Sequence, residues 1–319
     1  MNQPSTRESA ARGAFALVLG LGLAAAVTGC TEKKPSVTET RSTVPPPVTS
    51  TGTETQVSGP TVDAPTPPAV DGTTAATPID PKTAWKDGVA AYQSGDFAAS
   101  ATHLRVAVEE RKDDPYAHYL FGLALWKSGQ LDEAEGALVR STTLNDQSIK
   151  TWINLARVRL DRREFDGALE AADGATALDG TSSDALHQCG RALDGLNRGD
   201  EAVATLEQAR SLSPDNGYIA NTLGYLLLRR GRPEEAVAHL EAARDRLPQI
   251  AYVRNNLGVA YERTGDVHRA AEEFRAALQA GDSDGKASAS LARIEPLLRE
   301  RIAAQPVPEE AGPEDQPQQ

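Results

Sequence analysis

The chain has 319 residues and a formal net charge of −12, with 33 basic against 45 acidic side chains. That length admits one large domain or two ordinary ones, and the acidic balance argues against nucleic acid, or an anionic lipid surface held by the protein itself, as a partner. Apolar residues are dense from 13 to 27, sparse from 31 to 80 and periodic from about 83 to 302, so only the last stretch can build a folded domain.

Residues 1–29 read as an export signal. Arg7 and Arg12 precede the apolar run Gly13 to Val27, and small residues follow it. The run is short for a transmembrane anchor, because crossing a hydrocarbon core of roughly 30 Å takes about 20 apolar residues. The four residues Val27-Thr28-Gly29-Cys30 resemble a bacterial lipobox, the site where lipoprotein signal peptides are cut before a cysteine that becomes the lipid-bearing first residue. The resemblance implies lipidation of Cys30, and two or three acyl chains suffice for stable anchoring where one is marginal. Thr31 replaces the aspartate that resembles an inner-membrane retention signal, so the implied location is the periplasmic face of the outer membrane of a didermal cell. A lipid on Cys30 excludes a disulfide within one mature chain, because Cys189 is the only other cysteine.

From the lipidated Cys30 to about residue 80 the composition is Thr, Pro, Val, Ser and Gly, with Pro45-Pro46-Pro47 and Pro67-Pro68 inside it. No apolar period offsets the entropy of ordering such a backbone, and the segment reads as a tether. Fully extended it spans about 150 Å, and as a flexible coil it averages nearer 40 Å.

Beyond the tether, glycine or alanine recurs every 34 residues, at Gly88, Gly122, Ala156, Gly190, Gly224, Gly258 and Ala292. Units of that length begin near 81, 115, 149, 183, 217 and 251, and a shorter piece begins at 285. Within each unit, apolar residues at three- and four-residue spacing mark two helices, separated by turns such as Gly95-Asp96, Gly129-Gln130 and Arg163-Glu164. Small residues also recur at Ser100, Ala134, Ala168, Ala202, Ala236 and Ala270, and at Ala107, Ser141, Ala175, Ala209, Ala243 and Ala277. Helix axes approach to about 8 Å only where side chains are short, so each unit is expected to be a tightly packed antiparallel helix pair.

The pattern resembles the tetratricopeptide repeat family, which combines Gly or Ala at the eighth place of the unit with Ala at the twentieth and twenty-seventh, and Pro near the end, as Pro214 and Pro248 stand here. The resemblance implies an all-α, right-handed superhelix of about six helix pairs over residues 81–302, with an inner groove and a C-terminal cap helix from 285. Residues 303–319, rich in Pro, Glu and Gln, read as a disordered acidic tail. Unit one departs from the pattern at Asp87 and Ser100, as a terminal repeat facing solvent would. Unit four has Asn197 where the turn glycine belongs and is expected to be the least stable pair. The apolar side of the cap helix is expected to include Leu291, Ile294, Leu297, Leu298 and Ile302, with Pro296 bending the helix or moving its start.

No catalytic, cofactor-binding or metal-binding residues are expected. None of the five histidines has a second ligand at metal-site spacing, His103 and His239 read as repeat-related surface residues, Cys189 reads as a small buried hydrophobe, and no glycine cluster forms a phosphate loop. The family places that line the inner groove carry Tyr116, Tyr119 and Trp126 in unit two, Lys150, Asn154 and Arg157 in unit three, and His187, Gln188 and Arg191 in unit four. Units five and six supply Tyr218, Asn221, Tyr225, Arg229, Tyr252, Asn255, Asn256 and Arg263. Amides that hold a peptide backbone beside aromatic rings and arginines suit a peptide segment, the favoured reading over one in which the amides only satisfy neighbouring repeats. The lysine that repeat proteins gripping acidic chaperone termini carry at the fifth place is absent from every unit.

These features resemble lipid-anchored assembly factors of the bacterial envelope: the pilotin lipoproteins that help a type IV pilus secretin assemble, and scaffolds that gather peptidoglycan synthases or hydrolases. The expected partner is an envelope protein or peptide segment, with the membrane reached through Cys30. A non-catalytic subunit of an envelope carbohydrate or hydrolase enzyme is the alternative of a different class.

Overall fold

The computed structural model describes residues 78–282 and 285–303, so the expected signal peptide, Cys30, the tether up to residue 77 and the tail beyond residue 303 lie outside the described residues. Among those described there are thirteen α-helices and no strand. They form six consecutive pairs: α1 (Pro81–Ser94) with α2 (Phe97–Glu110), α3 (Pro115–Lys127) with α4 (Leu131–Leu144), α5 (Ile149–Asp161) with α6 (Phe165–Leu178), α7 (Ser183–Gly195) with α8 (Gly199–Leu212), α9 (Gly217–Arg229) with α10 (Pro233–Arg246), and α11 (Ala251–Arg263) with α12 (Val267–Gln279). A last helix, α13 (Lys286–Ala303), closes the array. None of these helices is long and apolar enough to cross a membrane.

Each pair starts and turns at fixed places. The residue before the first helix is Asp80, Asp114, Ser148, Ser182 or Asn216 in units one to five, and each side chain accepts a hydrogen bond from a backbone N–H of the first turn. Such a cap contributes about 1 kcal/mol. Unit six has Ile250 there, with no side-chain cap bond. Between the paired helices one residue enters the left-handed region: Gly95, Gly129, Arg163, Asn197, Gly231 and Gly265. Asn197 thus takes the conformation expected of it, at φ 60°, and Arg163 takes it at φ 63° without the freedom of glycine.

The seam within a pair explains the eighth-place glycines. A Cβ on Gly224 would lie 2.5 Å from Leu240 Cγ and 3.3 Å from the Ala236 carbonyl oxygen, so α9 meets α10 backbone to side chain. The same relation joins Gly88 to Leu104, Gly122 to Leu138, Gly190 to Leu206 and Gly258 to Phe274. Unit three exchanges both partners, pairing Ala156 with Ala172, and both are completely buried. The third small series works elsewhere, between units: Ala175 packs with Ile153 and Ala185, Ala209 with Leu186 and Ile219, and Ala243 with Ala220 and Val253.

Several expectations change. Ser100 does not face solvent: it is fully buried, and its hydroxyl donates to the Gly88 carbonyl at 2.8 Å, which replaces the usual alanine without leaving a polar atom unsatisfied. On α13 the packed face is Ala287, Ser290, Ile294 and Leu298 with Leu291 partly covered, whereas Leu297 and Ile302, on the flanks of that face, are exposed. Pro296 lies inside α13, which begins ten residues earlier at Lys286. His103 and His239 are half-buried, not surface residues, and burial pushes the His239 pKa down. Cys189 is completely buried in the main core.

From α3 onward each odd-numbered helix touches the next odd-numbered helix, while no comparable contact joins the even-numbered ones. Helices packed closely on one side and splayed on the other must curve. The odd-numbered helices therefore line the concave face. Along the array the sparsest junction between successive pairs is that of α8 with α9, at the exit of unit four.

Candidate functional site

The concave face divides into an aromatic end and a polar end. At the first, Trp85 stands edge-on to Tyr116 at 6.1 Å between ring centroids, Tyr116 stacks on Tyr119 at 6.2 Å, and the Arg111 guanidinium lies over the Trp85 ring at 4.5 Å. Burial raises the Tyr119 pKa, with the neighbouring Tyr92 adding to it. A cavity of about 350 Å³ opens beside them, lined by Tyr116, Tyr119, Ser141, Asn145 and Lys150 among others.

Farther along, two sets of hydrogen bonds tie successive odd-numbered helices together, each joining residues 35 apart. The fifth place of one unit meets the sixth of the next: Asn154 Nδ2 donates to Tyr119 Oη at 3.1 Å, His187 Nε2 lies 2.9 Å from Thr222 Oγ1, and Asn256 Nδ2 donates to Asn221 Oδ1 at 3.0 Å. The twelfth place meets the thirteenth: Trp126 Nε1 donates to Asp161 at 2.7 Å, Arg229 to Asp194 at 2.5 Å, and Arg263 to the Leu228 carbonyl at 2.6 Å. Neither bond spans the third junction, where these places hold Ile153, Gln188, Leu160 and Gly195. There the Phe165 ring fills the space beside Gly195, with 2.2 Å from a Cβ to the ring, so no larger residue fits.

These bonds revise the expected groove. Asn154, Asn221, His187 and Gln188 are buried, and three of them spend their polar atoms on the neighbouring unit; they are joints of the array more than exposed ligands. Burial, reinforced by the charges of Arg191 and Arg157, lowers the His187 pKa to about 3, so its ring is neutral at neutral pH. Trp126 is held by Asp161 in the same way.

Seven of the expected groove residues, the joint residue Asn221 among them, meet at the polar end. Asn221, Tyr225, Arg229, Tyr252, Asn255, Asn256 and Arg263 line a single cavity of about 470 Å³, together with Leu228, Val259 and two residues not foreseen, Asp282 and Lys286. Asp282 accepts backbone N–H bonds from Ala287 and Ser288 and so holds the start of α13 against the cavity. Tyr225 and Tyr252 remain 45% and 48% exposed, large rings left open to solvent. Asn255 Oδ1 is buried without a hydrogen-bond partner among the described residues, an arrangement that costs about 1–3 kcal/mol unless a donor arrives. A second cavity of about 310 Å³ continues toward unit four through Arg191, Asp194, Tyr225 and Arg229. The curvature brings Tyr252 within electrostatic reach of Arg191, while burial is the main cause that lifts the Tyr252 pKa. Among the described residues no group of three or more His, Cys, Asp or Glu is placed to hold a metal ion.

The family model described as tetratricopeptide repeat matches residues 87–147, 187–249 and 221–285. The comparison with curated proteins gives no match. Among solved structures, the chain is similar to MamA (residues 41 to the end) from Desulfovibrio magneticus RS-1, at 19% identity over 52% of this chain and 94% of that one, with a TM-score of 0.48. It is similar also to a thermophilic tetratricopeptide protein of Thermus thermophilus, at 20% identity over 56% and 97% with a TM-score of 0.49. A third is YrrB, described as having an unusual peptide-binding site, at 20% identity over 59% and 96% with a TM-score of 0.44.

Proposed function

The chain belongs to the tetratricopeptide repeat family, whose model matches half of its length, and from that premise we propose that it is a lipid-anchored interaction scaffold of the bacterial cell envelope. The family's members are protein-interaction scaffolds. The finer reading is that units five and six, closed off by α13, hold an extended peptide segment of an envelope protein. The observation that carries it is the 470 Å³ cavity in which two exposed tyrosines flank the unpartnered amide oxygen of Asn255. A peptide backbone supplies an N–H for that oxygen, and its side chains cover the rings.

The anchor reading rests on Val27-Thr28-Gly29-Cys30, and Thr31 supports the periplasmic face of the outer membrane if the cell is didermal. The tether gives it reach, whereas the pilotins it resembles have little tether. Metabolic labelling with an alkyne fatty acid tests this half: the wild-type chain takes label and sediments with membranes, and Cys30→Ala loses both. An unlabelled wild-type chain would remove the anchor from the account. The pilotin-like role in secretin assembly is separable, because deletion of the protein that leaves secretin multimers unchanged would sink it and turn attention to peptidoglycan synthases or hydrolases.

A further inference from the structure

Arg157 on α5 and Arg191 on α7 occupy the same ninth place of consecutive units. Each guanidinium donates an N–H to an amide three residues back on its own helix, Arg157 to Asn154 Oδ1 at 3.3 Å and Arg191 to Gln188 Oε1 at 2.9 Å. Most arginines among the described residues pair with a carboxylate, among them Arg159, Arg162, Arg198, Arg229 and Arg244. Arg157 and Arg191 are half-buried and form no such pair among the described residues. They are close enough that the charge of Arg157 works against the proton of Arg191, although burial is the larger effect. The acid whose field reaches Arg191 is Asp161, and its Oδ2 accepts the Trp126 indole N–H.

Two half-buried guanidiniums without a carboxylate partner of their own thus stand on the concave face of a chain whose net charge is −12. Partly desolvated charge of this kind is costly until an anion meets it. A carboxylate side chain supplies such an anion and accepts the guanidinium N–H bonds.

We propose that Arg157 and Arg191 form a seat for one aspartate or glutamate side chain of the segment bound in the groove. The inference rests on the peptide reading given above and adds the chemistry of the occupant. Neighbouring helices lie about 8–10 Å apart and an extended chain advances about 3.3 Å per residue, so successive units meet residues roughly three apart. The ninth place continues as Tyr225 in unit five and Val259 in unit six, both lining the 470 Å³ cavity. The occupant therefore carries an acidic residue about three to six positions away from apolar or aromatic ones.

An oriented library of ten-residue peptides, every residue type present at each position, passed over the immobilised full chain tests the seat. Retained peptides should be enriched about tenfold in Asp or Glu over Asn or Gln at one position, as expected for a charge-assisted contact. The enrichment should vanish in the Arg157→Gln, Arg191→Gln double variant and return in the double lysine variant, with thermal melting reporting whether each is folded. Retention with no acidic preference overturns the seat and leaves the peptide groove standing. No retention of any peptide by the folded wild-type chain overturns both.

Discussion

The seam between paired helices and the concave wall are built from the same 34-residue unit, and they differ in what the period holds constant. On the seam, a small residue faces a large one in five units, from Gly88 and Leu104 to Gly258 and Phe274, and unit three departs by exchanging both members together. On the wall, the ninth place alone reads Val89, Leu123, Arg157, Arg191, Tyr225 and Val259. Steric fit at 2.5–2.8 Å leaves the seam no freedom, whereas wall residues meet solvent or the next unit and can differ. The repeat thus fixes the frame, and the proposed recognition rests on the departures from repetition along the wall.

Neighbouring residues of α9 give a way to break that comparison. Gly224→Leu must force α9 from α10 and should lower unfolding free energy by about 1–3 kcal/mol in urea titrations. A smaller loss would mean that the seam is loose.

The wall has buried joints too, and His187 tests one. Its folded pKa of about 3 lies below the unfolded value near 6.5, so the stability it contributes is fully present above about pH 6.5 and is lost as pH falls from there toward 3. Melting temperatures taken between pH 7 and 4 should fall less steeply in His187→Gln than in the wild-type chain. Equal slopes would place the ring in water.

Unit three sharpens the seam argument. Ala172→Leu should destabilise because Ala156 already carries the Cβ that other units omit, and adding Ala156→Gly should restore about 1 kcal/mol, read as the coupling in a double-mutant cycle. The smallest effect belongs to Tyr225→Ala, beside Gly224 but on the wall, which should change stability by no more than about 0.5 kcal/mol.

Much of the frame was legible because sterics write it directly into residue size: Gly224 facing Leu240 needs no structure to be suspected. The caps at Asp80, Asp114, Ser148, Ser182 and Asn216 stand in the same 34-residue phase, a signal that the sequence carries and the reading of the glycines left unused. The wall was legible by position and not by state. Projection onto family places found the residues around the 470 Å³ cavity, but it did not show that the fifth place of one unit bonds to the sixth of the next, which turns Asn154 and Asn221 into joints. Asp282 and Lys286 escaped notice because they follow the last complete unit, where no repeat place predicts a neighbour. Asn255 was found, yet its unpartnered oxygen depends on packing that only the assembled helices create.

The central claim is that the concave face of the last units, and not the outer helices, receives the partner. A photo-crosslinking amino acid placed singly at Tyr225 or Tyr252, and in comparison at the exposed Val139 of α4 or Leu212 of α8, tests it in intact membranes. The account predicts a discrete crosslinked product from the two tyrosine positions and none from the other two; products from Val139 or Leu212 with none from Tyr225 and Tyr252 would contradict it.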